Sequence, residues 1–175
     1  MNFVFWMTGL SGSGKSTLAI NLLPLLNDYG INAYWLDGDH LRKTLNSDLG
    51  FSIKDREENI RRAAWVARFL LEAGITVIAS FITPTSTTRE IAREIIGKEH
   101  FRLVYVKADV SVCKKRDPKK LYKMAEAGKL TDFTGIHQEF EEPYNPDLIV
   151  DTSHSSIQEC TLLLFSFIKS TMTGN

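Results

Sequence analysis

Residues 9–16 read Gly-Leu-Ser-Gly-Ser-Gly-Lys-Ser, the pattern G-x-x-x-x-G-K-[ST], and they follow directly on the apolar run Phe3, Val4, Phe5, Trp6 and Met7. A strand that turns through glycines into a helix aims successive backbone N–H groups, and the positive end of the helix dipole, at one anionic spot. Thr17, Leu18, Ala19, Ile20, Asn21, Leu22 and Leu23 then supply the helical pattern that the motif requires after its turn. Gly9, Gly12, Ser13, Gly14, Lys15, Ser16 and Thr17 are therefore the expected contacts to a nucleoside triphosphate. Lys15 is expected to reach the β- and γ-phosphates, and the Ser16 hydroxyl to take Mg²⁺.

The chain has 175 residues, 43% of them hydrophobic and 24% charged, which predicts one α/β domain over residues 1–175 with a sizeable core. Lys plus Arg and Asp plus Glu are both 21, so no global basic field favours nucleic acid or a membrane surface, and anion binding must come from local placement. Cys113 and Cys160 form no C-x-x-C pair and read as reduced core residues, in keeping with a cytoplasmic protein. The apolar tract at residues 162–168 falls well short of the roughly 20 residues a membrane span needs. Of the four histidines none forms a ligand-spaced pair, so zinc is not expected.

Along the chain, a helix is predicted over about 15–27, with Pro24 kinking it or ending it early. A strand at 33–36 runs into Asp37-Gly38-Asp39, which places two carboxylates at the carboxyl end of a parallel strand, where open α/β sheets bind ligands. Ser52 and Asp55 have capping-box spacing ahead of an amphipathic helix carrying Ile60, Ala63, Ala64, Ala67, Leu70 and Leu71, with Glu57–Arg61 and Glu58–Arg62 as expected surface pairs. Strands at 75–80, 101–106 and 148–150 and helices at about 87–96, 111–116 and from Ser155 or Ser156 onward complete a five-stranded, mainly parallel sheet with helices on both faces. The lysine-rich stretch at about 117–146, with weak periodicity, reads as a lid or mobile connection.

A phosphate loop alone does not separate a kinase from a switch GTPase or a motor ATPase. The absence of an N-K-x-D guanine-reading sequence disfavours the GTPase, and a compact domain with a lid suits a small-substrate kinase that must exclude water. Asp39 reads either as a reactive carboxylate or as a cap for the helical turn His40-Leu41-Arg42. Arg56 is poorly explained as a first-turn charge, because it opposes the helix dipole. Phe51 and Phe133 read equally well as core aromatics.

Residues 6–17, Asp37-Gly38-Asp39-His40-Leu41-Arg42, Leu49-Gly50-Phe51-Ser52, residues 55–62, Phe81-Ile82-Thr83-Pro84, residues 113–117 and Phe133-Thr134-Gly135-Ile136 together resemble the adenylylsulfate kinase family, in its order and near its spacing over about residues 3–168. The resemblance implies the P-loop nucleotide kinase fold and transfer of the ATP γ-phosphate to the 3′-hydroxyl of adenosine 5′-phosphosulfate. It assigns Asp39 to the acceptor hydroxyl and its proton, Asp37 to the Mg²⁺ water shell, and Arg42, Arg56 and Asn59 to the phosphosulfate and ribose, where guanidinium groups engage two oxygens at once. The resemblance further implies that Phe51 and Phe133 sandwich the acceptor base, that Ile82 and Thr83 face the acceptor, that Arg116 packs on the ATP adenine and that Lys119 contacts the acceptor. The implied partners are small nucleotides and a second copy of the chain as a homodimer.

Thr83 replaces a usual serine that is assigned as phosphorylated in some bacterial members, so direct in-line transfer is expected here. Lys120 replaces a usual glycine, Met124 a basic residue, Asp132 a glycine or asparagine, and His137 an aspartate. These changes cluster in the lid and keep open a kinase of another activated nucleotide, such as the cytidine diphosphoramidate of capsule biosynthesis. A non-catalytic nucleotide-binding regulatory module is a further alternative. The chain begins at its first strand, so the N-terminal extension that carries redox regulation in plant relatives is expected to be missing.

Overall fold

A computed structural model describes residues 1–130 and 133–174. Strands β1 (Val4–Thr8), β2 (Ala33–Asp37), β3 (Thr76–Ser80), β4 (Phe101–Lys107) and β5 (Leu148–Asp151) form one sheet in the order β2-β3-β1-β4-β5. Every pairing is parallel, so the mainly parallel sheet expected from sequence is wholly parallel among the described strands. β1 lies at the centre and is sealed on both faces: all five of its residues have 0% exposure.

The period-2 alternation of β1 divides the core in two. Val4 and Trp6 face α3 (Ile53–Glu72) and α4 (Ser86–Ile96), packing with Ala63, Ala64, Ala67, Ala92 and Ile96. Phe5 and Met7 face α1 (Lys15–Asp28) and α7 (Ile157–Thr173), against Leu18, Leu22, Leu26, Leu164 and Ile168. The free thiols of Cys113 and Cys160 are buried.

Local chemistry sets the helix ends. The Ser52 hydroxyl accepts from the Asp55 N–H and starts α3, while reciprocal boxes start α4 (Thr85 with Thr88) and α7 (Ser156 with Glu159). Helix α1 runs unbroken past Pro24 to Asp28 and does not end early. Pro24 and Ile20 are exposed, so the Ile20 carbonyl that loses its helical partner can be hydrated. The lid carries a helix that weak periodicity concealed, α6 (Leu121–Glu126), after α5 (Val110–Arg116). A third apolar cluster of Leu10, Cys113, Tyr122, Ala125 and Phe133 fastens this region to the loop after β1.

Candidate active site

The carboxyl end of the sheet opens into a cavity of about 960 Å³. Gly12, Gly14, Lys15, Ser16 and Thr17 form one part of its wall, and Asp37, Asp39 and Arg42 follow β2 into another; Phe51, Arg56 and Asn59 come from α3 and the loop before it, Ile82 and Thr83 from the loop after β3, Arg116 from the end of α5, and Lys119 and Phe133 from the lid. Gly9 and Ser13 stand outside the wall and shape the loop instead. A Cβ on Gly9 would lie 2.4 Å from the Val106 carbonyl oxygen, at a φ of 152°, so only glycine lets the loop pass β4 this closely.

Lys15 is folded back onto its own turn. Its ammonium donates to the carbonyls of Gly9 (2.7 Å) and Leu10 (2.8 Å) and to Ser13 Oγ (3.4 Å). Burial pulls its pKa from 10.5 down to about 7. The loop is clamped from behind: Thr152 Oγ1 donates to the Ser13 carbonyl (2.8 Å), and Arg116 donates to the carbonyls of Gly12 (3.3 Å) and Thr152 (2.5 Å). Tyr122 of the lid donates its hydroxyl to the Ser11 carbonyl at 3.0 Å.

Asp37 and Asp39 flank Gly38 at the start of α2 (Gly38–Lys43). Gly38 is small for a reason: a Cβ there would meet the Phe81 ring at 2.8 Å and the Ser80 carbonyl at 3.0 Å. The Trp35 indole N–H donates to Ser80 Oγ (2.8 Å), and Ser80 donates to Asp37 Oδ1 (3.2 Å), which fixes that carboxylate. The N-cap position of α2 falls on Asp37, which makes no capping bond, so Asp39 is not the cap that the sequence allowed; it stands in the first turn, paired with Lys119 of the lid.

Phe51 is not a core aromatic. It is 51% exposed, with the Arg42 guanidinium 4.5 Å and that of Arg56 5.7 Å from its ring centre. Arg42 donates to the Gly50 carbonyl (2.9 Å) and Arg56 Nε to that of Phe51 (3.0 Å), so both cations are braced by the loop that presents the ring. Phe133, by contrast, is buried, edge-on to Tyr122 at 5.0 Å. Among the expected surface pairs Glu58–Arg62 forms at 2.8 Å, but Arg61 turns to Glu58 at 2.6 Å instead of to Glu57.

Thr83 carries a φ of 45°, a left-handed backbone that a β-branched residue rarely adopts. Its Oγ1 accepts from the Trp6 indole at 2.9 Å, and its carbonyl accepts from Thr8 (3.1 Å) and Arg89 (3.2 Å). Lys120 is likewise left-handed at φ 57°, a conformation that glycine would take without strain. His137 Nδ1 accepts the Phe133 N–H at 3.4 Å, and Met124 is 37% exposed; Asp132 lies outside the described residues.

A sequence model described as adenylylsulphate kinase matches residues 1–151. The chain belongs to the adenylylsulphate kinase family. The adenylyl-sulfate kinase of Staphylococcus carnosus is 45% identical over 95% of this chain and 83% of its own length. That of Prochlorococcus marinus is 48% identical over 90% of this chain and 78% of its own. A solved structure of Mycobacterium tuberculosis APS kinase, in complex with AMPPNP and APS, is 42% identical and superposes with a TM-score of 0.92, covering 97% of this chain and 98% of that one.

Four residues at or beside this cavity carry no motif in the sequence. Thr152, Ser155 and Ile157 line the cavity beside Arg116, and Ser80 orients Asp37. Their signal was positional, since Ser80 ends β3 and the others follow the carboxyl end of β5, on the ligand edge of the sheet. No described helix is long and apolar enough to cross a membrane.

Proposed function

We propose that this protein is an adenylylsulfate kinase, transferring the ATP γ-phosphoryl to the 3′-hydroxyl of adenosine 5′-phosphosulfate and releasing 3′-phosphoadenosine 5′-phosphosulfate and ADP. The observation that carries the reading is one cavity with Lys15 in one part of its wall and Asp39 in another, the latter among Arg42, Arg56, Asn59 and two aromatic rings. The loop amides and Lys15 hold the triphosphate once the ammonium leaves the carbonyls of Gly9 and Leu10. Asp39, released by Lys119, accepts the proton of the 3′-hydroxyl as its oxygen bonds to the γ-phosphorus and the bond to the β-phosphate oxygen breaks.

The Ser16 hydroxyl and the Asp37 carboxylate are hard oxygen donors in the cavity wall and would hold Mg²⁺, which would supply neutralisation of the triphosphate charge. Arg42, Arg56 and Asn59 orient the phosphosulfate and ribose, Phe51 and Phe133 the base, and Ile82 and Thr83 complete the acceptor wall. Arg116 packs on the ATP base. The lid at about 117–146 then excludes water. A single kinase domain over residues 1–175, a homodimer and a cytoplasmic site of action rest on the family likeness and on the sequence alone.

The test offers MgATP with adenosine 5′-phosphosulfate, cytidine diphosphoramidate, AMP and CMP in turn and measures ADP. Turnover is expected with adenosine 5′-phosphosulfate in clear preference. A cytidine acceptor favoured instead would move the protein to capsule chemistry, and no turnover with any acceptor would make it a binding module.

A further inference from the structure

Asn46 lies outside the cavity wall, in the turns between α2 and α3, yet it is wholly buried at 0% exposure. Its backbone N–H donates to the Leu41 carbonyl at 2.8 Å, which ties it to the end of α2. Its side-chain nitrogen meets two oxygens of Asn59, Oδ1 at 3.0 Å and the backbone carbonyl at 3.5 Å. Its own Oδ1 is buried with no hydrogen-bond partner among the described residues. An interior amide half unsatisfied is a standing cost, and a chain that keeps one there invites a reason.

The directions of these bonds are forced. A backbone carbonyl only accepts, so the end of the Asn46 amide facing Asn59 must be its NH₂ group. The Asn59 side chain must therefore present its oxygen to Asn46, and what remains for the cavity is its NH₂ group. Asn59 is itself 5% exposed and lines the cavity beside Arg56. The turns bearing Asn46 are held to α3 at a second point, because Arg62 donates to the Leu45 carbonyl (3.3 Å) and to Asp48 (2.7 Å).

We infer that Asn46 is a positioning residue for the acceptor: it locks the Asn59 amide so that a donor faces the anionic acceptor nucleotide. This rests on the acceptor-side reading of Asn59 under the proposed function. An Asn59 free to rotate would offer its oxygen to the acceptor about as readily as its nitrogen, and an oxygen turned toward the anionic phosphosulfate oxygens, which only accept, repels them.

The experiment is a double-mutant cycle on acceptor KM. Asn46→Asp puts an acceptor against Asn59 Oδ1 and turns the Asn59 oxygen toward the cavity; Asn46→Ala only frees the amide. Expected are a rise in acceptor KM of roughly tenfold for Asn46→Asp and a smaller rise for Asn46→Ala, with ATP affinity within about twofold in both. In an Asn59→Ala background both changes lose their effect on acceptor KM. Should Asn46→Asp fail to fold, the Asn46→Ala cycle carries the same test. Equal KM effects in both backgrounds, no KM effect at all, or parallel loss of ATP affinity would overturn the inference. Wild-type turnover of adenosine 5′-phosphosulfate is the separate control on the substrate reading, because the cycle compares variants on whichever nucleotide acceptor the wild-type enzyme uses.

Discussion

The ammonium of Lys119, on the lid, pairs with the carboxylate of Asp39, at the start of α2. The two side chains are 49% and 50% exposed, so the pair is screened and contributes on the order of 0–1 kcal/mol. A contact this weak yields to substrate, and it keeps Lys119 where an anionic acceptor arrives. Lys119→Met is expected to leave the melting temperature within about 2 °C of wild type. Acceptor KM should rise roughly tenfold as a charge-assisted bond is lost, with ATP affinity unchanged. Thermal unfolding and steady-state kinetics on one preparation check both halves.

Lys15 gives nucleotide binding a pH signature. In the free protein its pKa is pulled from 10.5 to about 7 by burial, whereas a triphosphate beside it favours the ammonium form. ATP binding should therefore take up a proton above about pH 7, and affinity should fall as pH rises further. The unfolded chain keeps this lysine protonated toward 10.5 while the folded one releases the proton near 7, so its contribution to folding stability grows with pH across that window. Calorimetry in two buffers of different ionisation enthalpy reads the proton uptake. In Lys15→Ala the uptake should vanish and ATP affinity collapse; tight binding retained would contradict the cradle.

Thr83 separates two chemistries. Thr83→Val keeps the shape but leaves the buried Trp6 indole N–H without its 2.9 Å acceptor, an expected cost of about 1–3 kcal/mol in urea unfolding. Thr83→Ser keeps the acceptor and should cost well under that. With direct transfer from ATP, Thr83→Val still turns over once folded. A complete loss of turnover in folded Thr83→Val, rescued by serine, would favour a phosphorylated intermediate.

Much of this was readable because local rules and global fold agree. Residues 9–16 needed only their glycines and the flanking apolar runs to announce the strand, turn and helix, and Asp37 and Asp39 were placed by standing at the end of a strand. The Ser52 cap fixed the start of α3 to the residue. What escaped depends on contacts distant in sequence. Lys120 at φ 57° and the short helix behind it are held by Asp117 and by apolar packing onto Leu10, which no period reveals. Asn46 looks like an ordinary turn asparagine until its burial against Asn59 is seen. Pro24 misled in the other direction, since its breaking power is spent on a solvent-facing turn.

Asp39 is the residue on which phosphoryl transfer to the acceptor depends most directly. The decisive measurement is kcat with adenosine 5′-phosphosulfate alongside MgATP affinity for Asp39→Ala and the wild type. Loss of a general base predicts a fall in kcat of roughly 10²- to 10⁴-fold, with MgATP affinity within a few fold of wild type. Turnover retained, or ATP affinity lost in equal measure, would contradict a role for Asp39 in phosphoryl transfer.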